Sequence, residues 1–187
     1  MNWLVFVVIS YLALVLQLGL KPVWMISLGG VGELSPSLML IVAVYVTLHA
    51  PTWVALWCAL GLGLVVEMTA SPMPGAVLVG PVTLGYLAAA YAVLQLRGMV
   101  FRESLIAFIV LVLIGGLFQE LVAVALLSMR EVPWPLGEVI PGWSAADQLM
   151  HRFLELLYTA ALAIPLGLGL MASRPLWRFA GRAERRT

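Results

Sequence analysis

Charge is scarce in this sequence: ten basic and nine acidic side chains are spread over 187 residues. That is 10% of the chain, against about 25% in a typical soluble domain. So few charges cannot cover the surface of a soluble fold, and 63% of the residues are hydrophobic. The single cysteine, Cys58, excludes an internal disulfide and any multi-cysteine metal site. With two histidines there is no imidazole-rich ligand set, and neither a Gly-rich phosphate loop nor a Ser-His-Asp set at useful depth is present. These absences leave a membrane enzyme little in its favour, and no cofactor is expected. A net charge of +1 gives no reason to expect nucleic acid as a partner. No basic segment precedes the first apolar run and no small-x-small site follows Leu20, so that run reads as a retained helix, not a signal peptide.

What is present is a succession of apolar runs. Six spans of about 20 residues use about 120 residues and leave only short loops, so 1–187 reads as one membrane domain. The runs lie at about 3–20, 36–48, 52–68, 76–96, 104–128 and 149–172, followed by a basic cytoplasmic tail, 173–187. The second run, about 13 residues, crosses only if it is tilted or begins among the headgroups. Residues 21–35 hold four glycines or prolines with Lys21 and Glu33, and read as a loop dipping into the interface. Pro51 ends the second run, because the residue before a proline is pushed out of helical geometry. Residues 129–148 read as an ordered interfacial loop. Pro81 and Pro165 fall inside the fourth and sixth runs and are expected to kink them. The expected fold is an all-α integral membrane protein, a six-transmembrane-helix bundle.

Orientation follows from the basic residues. With both termini cytoplasmic, Arg97, Arg102, Arg174, Arg178, Arg182, Arg185 and Arg186 are inside, and Lys21, Arg130 and Arg152 outside, as the positive-inside rule favours. Six of the seven tryptophans, including Trp3, Trp53 and Trp177, fall at proposed helix ends or in loops, where an amphipathic ring prefers to sit. Small residues at i, i+4 spacing (Ala59 and Gly63, Gly85 and Ala89, Ala163 and Gly167) allow helix backbones to approach, and packing within one monomer is the favoured reading.

Four ionisable residues lie inside the spans or at their edge: Glu67, Glu120, Arg152 and Glu155. A charge near the bilayer centre costs about 2.5–3.5 kcal/mol, so each needs a partner, a wet cavity or a proton. At 1.5 Å per residue, Glu120 lies about 6 Å and Glu67 and Glu155 about 10 Å outward of the centres of their helices, all in the outer half of the bilayer. Arg152 is the natural partner of Glu67 or Glu120. Three readings of this cluster stay open: glue between spans three, five and six, a ligand pocket open to the outer face, or a dock for a partner's transmembrane helix. In the tail, Arg174, Arg178, Arg182, Arg185 and Arg186, with Trp177 and Phe179, suit contact with anionic lipid, at about 1 kcal/mol per basic residue, and contact with a cytoplasmic protein.

The segment Ser35-Pro36-Ser37 to Pro51, then Ala59 to Gly75 with Glu67 near the helix end, resembles the signature of MreD, the rod shape-determining membrane protein of bacteria. A proline precedes a short aliphatic helix, a G-L-x-x-acid helix end follows at Gly63 to Glu67, and a Ser/Pro-Gly turn opens the fourth span. Glu120, in Phe118-Gln119-Glu120-Leu121, looks like the acidic position of that family's fifth helix. Glu67 stands where the family usually has Asp, and His49 where it has another basic residue. The resemblance covers roughly residues 35–128. It implies a non-enzymatic scaffold of the peptidoglycan-synthesising elongation complex in the bacterial inner membrane, pairing with the bitopic protein MreC and linking MreB filaments to RodA and its transpeptidase. It also implies a likeness to the substrate-binding subunits of energy-coupling-factor transporters. The alternative expectation is accordingly a substrate-binding subunit for a vitamin-like molecule or lipid, with an outward-facing pocket.

Overall fold

The computed structural model describes residues 1–19, 21–24, 26–28, 32–69, 80–100, 104–128 and 145–177, and these are predominantly helical. In chain order the elements are α1 (Trp3–Gly19), α2 (Lys21–Trp24), β1 (Ile26–Leu28), β2 (Gly32–Leu34), α3 (Leu38–His49), α4 (Thr52–Thr69), α5 (Pro81–Leu96), α6 (Leu105–Ser128), α7 (Ala145–Ala172) and α8 (Arg174–Trp177). Among the described residues, three helical stretches are long and apolar enough to cross a membrane: Thr52–Thr69, Leu105–Ser128 and the Leu149–Ala172 part of α7. Helices of that length and composition are those of a membrane protein. Three further apolar helices are shorter, α1 with 17 residues, α3 with 12 and α5 with 16.

Several boundaries differ from the sequence expectation. Residues 21–35 are not simply a loop: they hold the short helix α2 and an antiparallel hairpin in which Ile26 pairs with Leu34 and Leu28 with Gly32. Pro81 does not kink a helix but begins one, at the first helical position, where a missing N–H costs nothing. Residues 76–79, expected to open that span, lie outside the described residues. α7 starts at Ala145, a turn before the expected 149, and Pro165 does lie inside it.

The core of the molecule is α3. Eleven of its twelve residues are buried, and it touches α1, α4, α5, α6 and α7. A helix apolar on every side has no face to turn to water and is enclosed when neighbours are available. Around it the longer helices alternate in direction. The end of α1 meets the start of α3, the end of α4 meets the start of α5, and Gly85 early in α5 meets Gln119 late in α6.

Glycine sets how closely these helices approach. A Cβ on Gly63 would meet the Thr83 backbone at 2.9 Å, and one on Gly85 the Gln119 carbonyl oxygen at 2.8 Å. Gly167 lies against Phe108, and Gly116 against Leu40 and Leu156. The small residues thus pack helix on helix within one chain, as expected for Gly63, Gly85 and Gly167. In hydrocarbon such close contact, not expulsion of water, drives helix association.

Candidate functional site

A short buried helix leaves its first N–H and last C=O groups without intrahelical partners, and in hydrocarbon no water reaches them. At the start of α3 side chains from two other helices supply the acceptors. Thr159 Oγ1 of α7 accepts from the Ser37 N–H at 2.9 Å, and Gln17 Oε1 of α1 accepts from Met39 N–H at 3.1 Å. Glu155, one turn before Thr159, accepts from both the N–H (3.1 Å) and the hydroxyl (3.3 Å) of Ser35. The Ser37 hydroxyl meets the Tyr86 hydroxyl of α5 at 3.2 Å. His151 Nδ1 lies 3.8 Å from the other Glu155 oxygen.

The far end of α3 is closed by a cation. Arg97, just beyond α5, donates to the carbonyl oxygens of Thr47 (3.3 Å) and Ala50 (2.8 Å) and to Thr52 Oγ1 at 2.8 Å. A carboxylate at the N-terminal end and a guanidinium at the C-terminal end both oppose the helix dipole. Sequence reading placed Arg97 at the inner surface by charge counting, and the structure gives it this further contact.

Glu67 serves a third helix end. It accepts from the N–H of Val82 at 3.1 Å and of Thr83 at 3.3 Å, and from the Thr83 hydroxyl at 2.5 Å. These are the second and third helical positions of α5, whose N-cap Gly80 has no side chain to do the work. Glu67 is therefore a cap supplied from the neighbouring helix, and Arg152 is bound elsewhere.

Arg152 pairs with Glu120, Nη1 to Oε2 at 2.5 Å, and the other Glu120 oxygen accepts from Gln119 Nε2 at 3.0 Å. Side-chain exposures are 24% for Arg152 and 15% for Glu120. Gln119 Oε1 and Arg152 Nε are buried and have no partner among the described residues. Beside the pair a groove of about 370 Å³ opens between α6 and α7, with walls of Leu117, Met150, Phe153 and Leu156 and Glu120 as its polar group. Of the four candidate residues, then, Glu120, Arg152 and Glu155 lie on α6 and α7, while Glu67 works apart from them on α4 and α5.

The tail divides. Arg174 begins α8, whereas Arg178, Arg182, Arg185 and Arg186 lie outside the described residues. Trp177 is not an interfacial ring: it is fully buried, 5.3 Å from the ring of Tyr45, with its indole N–H donating to Ser173 Oγ at 2.9 Å. Its carbonyl accepts from the N–H of Asn2, joining α8 to the start of α1. By contrast Trp3, Trp53 and Trp57 are more than half exposed, as lipid-facing rings are.

Sequence reasoning missed Gln17, Ser37, Thr159 and Thr83 as parts of this network. A signal existed for Gln17, the one amide in the first apolar run. Ser37 stood in the segment that carries the resemblance, and for Thr159 and Thr83 there was no signal, since a hydroxyl in an apolar helix can satisfy itself on its own backbone. Compared with known proteins, the chain matches no family model, no curated protein and no solved structure.

Proposed function

We propose that this chain is a six-span scaffold of the bacterial cell-elongation machinery, MreD-like in kind, set in the inner membrane with both termini cytoplasmic. Its partner is an MreC-like bitopic protein, and through it the chain is linked to MreB, RodA and the transpeptidase. One observation carries the reading. The residues on which the resemblance rests are those that fasten the helices: Ser35 and Ser37 are held by Glu155 and Thr159, and Glu67 caps the helix that follows its turn. Polar groups so engaged favour a rigid body that other proteins hold, and the likeness to energy-coupling-factor binding subunits belongs to the same proposal. Co-purification from membranes in mild detergent, with the MreC-like protein as bait, tests it. Enrichment of this chain is expected, and its absence would count decisively against the scaffold.

The groove beside Glu120 favours a second reading, a binding subunit for a vitamin-like molecule or lipid. In that case a ligand from a broad panel raises the melting temperature of the chain and Glu120→Gln abolishes the shift. No shift across the panel removes this alternative.

A further inference from the structure

α6 and α7 run antiparallel and touch closely where Gly116 lies against Leu156. One turn nearer the end of α6 they leave the groove of about 370 Å³ beside the Glu120–Arg152 pair. It opens at the surface of the bundle, where Leu117, Met150 and Phe153 on its walls are exposed. Glu120 is the polar residue that lines it. Arg152 meets the same carboxylate without belonging to the walls, so what the groove presents is the acid.

Two properties of this groove decide what can fill it. The first is depth. Glu120 stands about 5 Å from the midpoint of α6, whereas headgroups begin about 15 Å from the bilayer centre. A lipid lying there fills the groove with acyl chain and leaves the carboxylate facing hydrocarbon, but a side chain carried on a membrane-spanning helix can meet it at that level. The second is charge. Among the described residues here two carboxylates, Glu120 and Glu155, stand with one guanidinium, Arg152, and the His151 ring lies beside Glu155. With that ring neutral the cluster lacks one positive charge. Each Glu120 oxygen accepts one hydrogen bond, from Gln119 or from Arg152, and can take a second.

We propose that this groove receives the transmembrane helix of the bitopic partner, one that carries a Lys or Arg in its outer half and sets that cation against Glu120. The inference rests on the scaffold reading above and adds to it the face and the charge that are used. It gives the groove to the partner and not to a small ligand. Charged side chains inside a bilayer pair with one another, and such a pair between helices fixes both their register and their orientation. A second copy of the chain is a poorer occupant, because a two-fold contact through this face brings carboxylate to carboxylate.

Met150 is 62% exposed and takes no part in the ion pair, so Met150→Trp fills the groove at little cost to the fold. Co-expressed with the MreC-like partner and purified in mild detergent, this variant is expected to recover at least tenfold less partner than the wild type, and Ile106→Trp, at the other end of α6 and 75% exposed, the same amount. Glu120→Gln and replacement of the partner's basic residue by leucine should each lower recovery about tenfold, and the two together no further, since they remove one contact. A photo-crosslinking residue at Met150 should form an adduct with the partner. Full recovery with Met150→Trp, losses that multiply in the double variant, a partner helix with no Lys or Arg in its outer half, or adducts only with lipid or a second copy would each overturn the placement while leaving the scaffold reading intact. Failure of the wild-type chain to recover the partner would overturn both.

Discussion

At Arg152 a guanidinium is held, among the described residues, by the carboxylate of Glu120, and the two groups are worth more together than either alone. Removing one partner of a buried pair leaves the other charge without compensation, which costs about 3–5 kcal/mol when burial is complete. Arg152 is 24% exposed, so Arg152→Ala is expected to cost roughly 3 kcal/mol, at the low end of that range. The exposed Lys21→Ala should stay within about 0.5 kcal/mol, and melting in detergent compares the two. Glu67 should respond differently, since its partners are backbone N–H groups. Glu67→Gln keeps an acceptor oxygen but loses the charge at the start of α5, and should cost less than Glu67→Ala, which loses the cap at about 1–2 kcal/mol. The sequence made it plain that these acids needed partners, and reading along it could not say which. An arginine is visible as a letter, whereas the free N–H groups at the start of α5 exist only once Pro81 has been made its first residue.

Between elements, contact is set by the absence of side chains, and glycines identical in sequence differ in consequence. Gly85→Ala places a methyl group against the Gln119 carbonyl, a backbone atom that yields only if α5 and α6 move apart. A cost of about 1–3 kcal/mol is expected from such overpacking. Gly61→Ala, with open space before it, should be neutral or stabilising by up to about 1 kcal/mol. Thermal unfolding of the two variants under one set of conditions checks the contrast. Trp177 adds a second test at this scale. Truncating a fully buried aromatic costs about 3–5 kcal/mol, so Trp177→Ala should destabilise strongly, and Trp3→Ala only slightly, since Trp3 is 55% exposed. Helix existence was legible from apolar run length, as α6 and α4 demonstrate. The position of Trp177 was not, because an aromatic next to basic residues reads equally as an interfacial anchor, and four residues of α8 turn it inward.

The whole molecule is organised around a helix shorter than the hydrocarbon core is thick. Twelve residues of α3 rise about 18 Å, against a hydrocarbon core of about 30 Å. Its ends are therefore closed within the bundle, by Gln17, Thr159 and Glu155 at one and by Arg97 at the other. This arrangement gives the bundle two chemically distinct ends and lets its orientation be tested. Arg97 and Arg102 flank one connection and the basic tail follows α8, so the Arg97 end is expected to face the cytoplasm and the Glu155 end the opposite side. Met99 is 84% exposed just beyond Arg97, and Val23 is 75% exposed next to Lys21, past the end of α1. In a Cys58→Ser chain a membrane-impermeant maleimide applied to intact spheroplasts should label Val23→Cys and spare Met99→Cys until the membrane is opened. The reverse pattern would invert the molecule. It would also carry the carboxylates of Glu120 and Glu155 to the cytoplasmic half, where an outward-facing pocket could not form. Labelling of both sites in intact spheroplasts would put the two ends on one side, and six alternating crossings would then be excluded.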